Sequence, residues 1–121
     1  MLKIERENNR FIVSFFEINR LNTTISRIIE KQLVQLLNEN GAELLLDLKG
    51  IKFIDTSGFN TLHELKDTAI KYNSHLYLTN LSPEVVELFR LLELENTFSV
   101  CKYPEKVAEV VKYGLPNRRK K

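Results

Sequence analysis

The residues Ile54-Asp55-Thr56-Ser57-Gly58 place a carboxylate, two adjacent hydroxyls and a glycine at the end of an apolar run. Three kinds of chemistry suit such a cluster: a hydroxyl nucleophile, the cap of a helix, or an acceptor for a phosphate delivered by another protein. A nucleophile needs a base within hydrogen-bond reach. His63 and His75 are the only histidines, and His63 lies six residues beyond Ser57. On a helix that is nearly two turns, a poor position for taking the Ser57 proton. His75 opens a predicted strand, and both read as ordinary surface or half-buried histidines. The four glycines are too scattered to cradle a nucleotide, and the residues around Asp55-Thr56-Ser57-Gly58 lack the pattern of a hydrolase elbow. Cys101 is the single cysteine, so an internal disulfide and a cysteine-based zinc site are both excluded, and no metal or cofactor is expected.

The cap and the phosphate acceptor remain. A strand ending at Asp55 and a helix starting near Ser57 or Gly58 would use one polar side chain to satisfy the unpaired amides of the first turn. A cap alone does not require three polar residues in a row. The same junction suits phosphate, because helix amides and the helix dipole stabilise an anion there. A phosphate would add about −1.5 to −2 charges beside Asp55.

The elements that must position this cluster are legible from periodicity. Leu2 and Ile4 alternate with Lys3 and Glu5, Asn8-Asn9 suits a turn, and Phe11, Val13 and Phe15 resume the alternation. These residues predict a hairpin, with Ile12 and Phe16 making its second strand apolar on both faces. Asn22, Thr23 or Thr24 can cap a helix whose apolar face is Ile25, Ile28, Ile29, Leu33, Leu36 and Leu37, with Glu30, Lys31, Gln35 and Asn38 facing away. Gly41 suits the stop that follows. Residues 42–48 form a short apolar run, as in a strand covered on both faces. Lys49-Gly50 bends the chain, and residues 51–55 lead to the cluster. Phe59, Leu62, Leu65, Ala69 and Ile70 then trace a helical face, broken at Asn73-Ser74. Leu76 and Leu78 point to one side of the next strand and Tyr77 to the other. Ser82, Pro83 and Glu84 are helix-start residues, ahead of an apolar side of Val85, Leu88, Phe89 and Leu92. A short strand at 97–101 and a helix from Pro104, with Val107, Val110 and Val111, complete the chain. The order β-β-α-β-α-β-α-β-α predicts one α/β domain, a mostly parallel sheet with an antiparallel N-terminal hairpin strand and helices packed against it.

Composition agrees with such a domain. The chain has 121 residues, 43% hydrophobic and 28% charged, enough for a single core. The net charge of +2 is uneven: without Arg118, Arg119, Lys120 and Lys121 the count is 14 basic residues against 16 acidic. The basic excess is therefore a terminal tail, not the spread face of a nucleic-acid binder. No apolar stretch approaches the ~20 residues of a membrane span, and residues 1–10 carry charge without an apolar signal core. A cytosolic protein without direct nucleic-acid contact is expected.

The segment from Ala42 to Phe98 resembles the STAS domain, found in bacterial anti-sigma factor antagonists and in sulfate transporters. The resemblance rests on Asp47-Leu48, Ile54-Asp55-Thr56-Ser57-Gly58-Phe59, Asn80-Leu81-Ser82-Pro83 and Phe98, all at fitting spacing. It implies one STAS domain over residues 1–114, followed by the basic tail 115–121. For an antagonist it implies a non-enzymatic switch, bound by an anti-sigma factor kinase when unmodified, phosphorylated at Thr56 (with Ser57 next) and reset by a phosphatase. Asn22, Asp55, Thr56, Ser57, Gly58 and Asn60 would then form the partner-binding face. The sequence leaves the oligomeric state open, with a weak homodimer as one option. Three residues depart from the commonest pattern. Thr56 replaces serine, Asn22 stands where an early loop carries aspartate, and Phe59 replaces leucine. A second reading is a constitutive STAS adaptor in a lipid-transport or stress-signalling complex, with Thr56 acting only as a helix cap. A small nucleotide-binding enzyme ranks last, for want of a phosphate loop.

Overall fold

The computed structural model describes residues 1–101. Its elements are β1 (Leu2–Glu7), β2 (Arg10–Phe15), β3 (Arg20–Leu21), α1 (Thr23–Leu36), β4 (Glu43–Asp47), β5 (Phe53–Ile54), α2 (Thr56–Tyr72), β6 (His75–Thr79), α3 (Pro83–Leu91) and β7 (Ser99–Val100). Five strands form one sheet in the order β1-β2-β4-β6-β7. β1 and β2 are antiparallel, and every other neighbour in that sheet is parallel. The expected α/β architecture with its antiparallel N-terminal hairpin is therefore present. The helix expected from Pro104, the boundary at 114 and the tail 115–121 lie outside the described residues. No described helix is long and apolar enough to cross a membrane.

Each crossover moves one strand further from the hairpin, and the three helices share one face of the sheet. The main core joins Val13, Leu44, Leu46, Leu76 and Leu78 from the strands to Ile29, Leu33, Phe59, Leu62, Leu65, Val85 and Phe89 from the helices. Alternation sends Leu45 and Tyr77 to the other face, where they cluster with Ile12 and Cys101. Leu44, Leu45 and Leu46 are all buried, as a continuous apolar run in a central strand requires. Burial also raises the Tyr77 hydroxyl above its ordinary pKa, with the Glu43 carboxylate adding to the effect.

Three apolar residues expected inside lie outside, each for a local reason. On α1 the buried line runs through Ser26, Ile29, Leu33 and Leu37, leaving Ile28 46% exposed. The small Ser26 occupies the buried position. Glu30, expected to face solvent, turns toward α2 and accepts a hydrogen bond from Thr61 Oγ1 at 3.2 Å. Ile70 is 68% exposed in the last turn of α2, where Ala69 takes the inward position. Leu92 is exposed because α3 has already ended: Glu93 reverses the chain at φ 57°, and Leu94 returns to the core in its place.

The pieces of sequence that stood apart meet at the carboxyl ends of the strands. Asp47 Oδ1 accepts from Asn80 Nδ2 at 2.9 Å and from the Lys49 amide at 3.0 Å. This clamp joins the ends of β4 and β6 and holds the reversal through Gly50, whose φ of 88° favours glycine. Ser82 caps α3 through the Val85 amide, with Pro83 at the start of the helix. Phe89 is the aromatic hub, with ring centres 5.6 Å from Phe59 and 5.8 Å from Phe98. Phe89→Ala is expected to lower unfolding stability by about 3–5 kcal/mol, against less than about 0.5 kcal/mol for Leu91→Ala at the exposed end of the same helix. Urea denaturation followed by circular dichroism measures both.

Candidate functional site: the paired starts of two helices

The site is built on a ladder of two-residue strands apart from the main sheet. β3 runs parallel to β5, with Arg20 opposite Phe53 and Leu21 opposite Ile54. Each strand leads directly into a helix, so the ladder sets the starts of α1 and α2 side by side. The local sequences match step for step: Leu21-Asn22-Thr23-Thr24 beside Ile54-Asp55-Thr56-Ser57. Asn22 Oδ1 accepts from the Ile25 amide at 3.1 Å, and Asp55 Oδ1 accepts from the Gly58 amide at 3.0 Å. The two side chains cap their helices in the same way.

Gly58 explains why the two starts can lie so close. A Cβ built there would be 2.6 Å from the Leu21 carbonyl oxygen and 2.7 Å from Ile54 Cγ2. The glycine serves this close approach, since its φ is not in the left-handed range. The same carbonyl accepts from the Asp55 amide at 3.1 Å. Gly58 was expected on the partner-facing surface. It is instead buried, packed against the ladder, and supports that surface from beneath.

The two hydroxyls of the cluster are in different states. Ser57 is half-buried, and its Oγ lies 2.9 Å from Thr23 Oγ1, a hydrogen bond across the two helices. Thr56 is exposed at the first position of α2, and among the described residues nothing hydrogen-bonds its hydroxyl. Asn60, one turn further along, is also exposed and lies on the same stripe of the helix as Thr56. Asp55 and Asn22 are partly exposed beside them. The structure thus gathers Asn22, Asp55, Thr56 and Ser57 at one end of the helix pair, with Asn60 one turn along. Phe59, the departure from leucine, is buried against Phe89.

Thr23 was considered only as a cap, and the sequence reading missed its contact with Ser57. The signal was present in the repeated apolar-Asx-hydroxyl-hydroxyl pattern, which indicates two equivalent helix starts. His63 is not directed at the cluster; its ring packs on Phe98, with centres 5.2 Å apart. Among the described residues no group of three or more histidine, cysteine, aspartate or glutamate side chains is placed to hold a metal.

The close approach makes a stability prediction. Gly58→Ala should destabilise the protein by about 1–3 kcal/mol, because the methyl group must displace backbone as well as side chain. Asp55→Ala should cost about 1 kcal/mol through the lost cap, and Asp55→Asn distinctly less. Chemical-denaturation midpoints rank the three variants.

A model of the STAS domain matches residues 6–110. The fold is shared with several solved structures. A STAS-domain anti-sigma factor antagonist from Planctomyces limnophilus superposes with a TM-score of 0.74 at 17% identity, over 88% of this chain and 93% of that one. The antagonist SpoIIAA in its unphosphorylated form gives 0.71 at 15% identity, over 88% and 93%. The phosphorylated form of SpoIIAA, a Bacillus cell-fate determinant, gives 0.65 at 13% identity, over 89% and 97%. No curated protein matches the chain at a significant level. With most of its length matched by the family model, and a fold shared with solved STAS-domain structures, the chain belongs to the STAS domain family.

Proposed function

We propose that this STAS domain is an anti-sigma factor antagonist. It binds an anti-sigma factor of the kinase type through the surface around Asn22, Asp55, Thr56, Ser57 and Asn60, and phosphorylation of Thr56 releases it. The observation that carries the reading is the unequal state of the two hydroxyls. Thr56 is exposed at the start of α2, whereas Ser57 is tied to Thr23. A kinase reaching this surface meets Thr56 first.

The consequence of the modification is electrostatic. The phosphate would stand at the amino end of a 17-residue helix, where amides and the helix dipole tolerate negative charge. The fold can therefore accept it. The partner cannot, if its surface is matched to an uncharged hydroxyl beside the single carboxylate of Asp55: about −1.5 to −2 charges then arrive where none stood. The solved phosphorylated form of SpoIIAA supports the view that this fold carries a phosphate without losing its architecture. The protein acts as a substrate and a binding surface, with no catalysis of its own, and a phosphatase restores the binding form. Its role is control of a sigma factor's availability in the cytoplasm.

The partner is obtained by pull-down from the source cell and then incubated with the chain and ATP. Peptide mass spectrometry should place the phosphate on Thr56, absent from Thr56→Ala and retained in Ser57→Ala. Thr56→Ala should keep binding the partner, and Thr56→Glu should bind about tenfold more weakly or worse, on the scale of a few unfavourable charge contacts. Phosphate transfer undiminished in Thr56→Ala would move the site to Ser57. A stable partner with no phosphate under any growth condition would favour a constitutive adaptor.

A further inference from the structure

We propose that the free edge of β1 pairs with β1 of a second copy of this chain, joining two five-stranded sheets into one continuous sheet. The inference is independent of the function proposed above. Among the described residues β1 ends the sheet, and residues 3–7 of it are exposed. Which main-chain groups face outward follows from the register. Phe16 donates its amide to the Met1 carbonyl at 3.0 Å, so Met1 and Phe16 are a bonded pair. Bonded and non-bonded pairs alternate along an antiparallel ladder. Lys3, Glu5 and Glu7 therefore turn their amides and carbonyls toward β2, and Leu2, Ile4 and Arg6 turn theirs to the free edge.

An antiparallel partner related by a two-fold axis at Ile4 satisfies all three outward residues. Ile4 pairs with Ile4 of the second copy, and Leu2 pairs with Arg6 in both directions, for about six main-chain hydrogen bonds. Charge selects this register. It sets Lys3 opposite Glu5 twice, in the closely spaced non-bonded positions where cross-strand pairs interact most. Moving the axis to Lys3 would set lysine on lysine, and moving it to Glu5 would set glutamate on glutamate. Ile4, 41% exposed on the single chain, meets its own copy at the axis. Within one chain Lys3 and Glu5 form an ion pair of 3.5 Å with side chains 64% and 59% exposed. A pair so solvated is weakly held, so exchanging it for the intermolecular pairs costs little. Charges usually protect an edge strand from pairing; here their alternation in sign makes the edge complementary to itself.

The test is sedimentation equilibrium of the full-length chain from micromolar to millimolar concentration, with any tag at the carboxyl end. The wild-type chain should dimerise reversibly. Lys3→Glu and Glu5→Lys should each weaken the dimer about tenfold or more, since two attractive pairs become repulsive. The double exchange Lys3→Glu/Glu5→Lys should restore it to within about threefold. An equimolar mixture of the two single variants should form a heterodimer tighter than either variant alone. Ile4→Pro, which removes an outward amide and leaves the bonds to β2 in place, should abolish the dimer while circular dichroism shows the fold retained. A chain that stays monomeric to millimolar concentration overturns the proposal. So does a dimer indifferent to both charge reversals and to Ile4→Pro.

Discussion

The arrangement of this domain's surface depends on one contact: the backbone of α2 at Gly58 lying against the Leu21 carbonyl and the Ile54 side chain. No side chain fits in that space. With a glycine there, the short β3–β5 ladder can feed two helices whose first turns stand in register. Asn22 and Asp55 then cap in parallel, and Thr23 reaches Ser57. The exposure of Thr56 follows from the same geometry, because the residue at the first position of α2 points outside the helix pair while the next residue is held between the helices.

This division of labour would let a small domain accept the modification proposed at Thr56 without risking its fold. The cap, the close approach and the hydroxyl bridge belong to Asp55, Gly58, Ser57 and Thr23. None of these needs the Thr56 hydroxyl. A change in charge at Thr56 alters what the surface presents to a partner, and the contacts beneath it are satisfied by other atoms. The clamp between Asp47 and Asn80 gives the neighbouring strand ends a similar security. The end of the molecule proposed to meet the partner thus rests on hydrogen bonds already closed among themselves.

Much of this was legible from the sequence, and the gaps have physical causes. Hydrophobic period and capping residues located the hairpin, the three described helices and the strands between them, because burial and the unpaired amides of helix ends constrain residue type directly. The Asp-Thr-Ser-Gly pattern indicated a capped helix start but left the capping residue open and put the first turn at Ser57 or Gly58; Asp55 is the cap and α2 begins at Thr56. Residues at the margins of each apolar stripe were misread: Ile28, Ile70 and Leu92 have the right spacing, but whether a neighbouring element covers them is a tertiary matter. The strand leading to Asp55 was legible in residues 51–55, but its partner β3 was hidden, because the two residues Arg20-Leu21 carry no periodicity. Asn22 was legible as a cap, whereas the bond between Thr23 and Ser57 joins residues 34 apart and required the ladder to be seen first. Gly58 was taken for surface because its sequence context is polar; its function is steric and becomes visible only beside Leu21.

On the proposed function, the paired helix starts are the surface that meets the partner and that the phosphate alters. Amide chemical-shift mapping of the isotope-labelled full-length chain, titrated with the unlabelled anti-sigma factor kinase in the absence of ATP, tests this most directly. Perturbations should concentrate at residues 22–23 and 55–60, with the same region shifting again once the phosphate is in place. Perturbations confined to the opposite end of α2, around residues 69–75, or to the edge strand at residues 2–7 would contradict it.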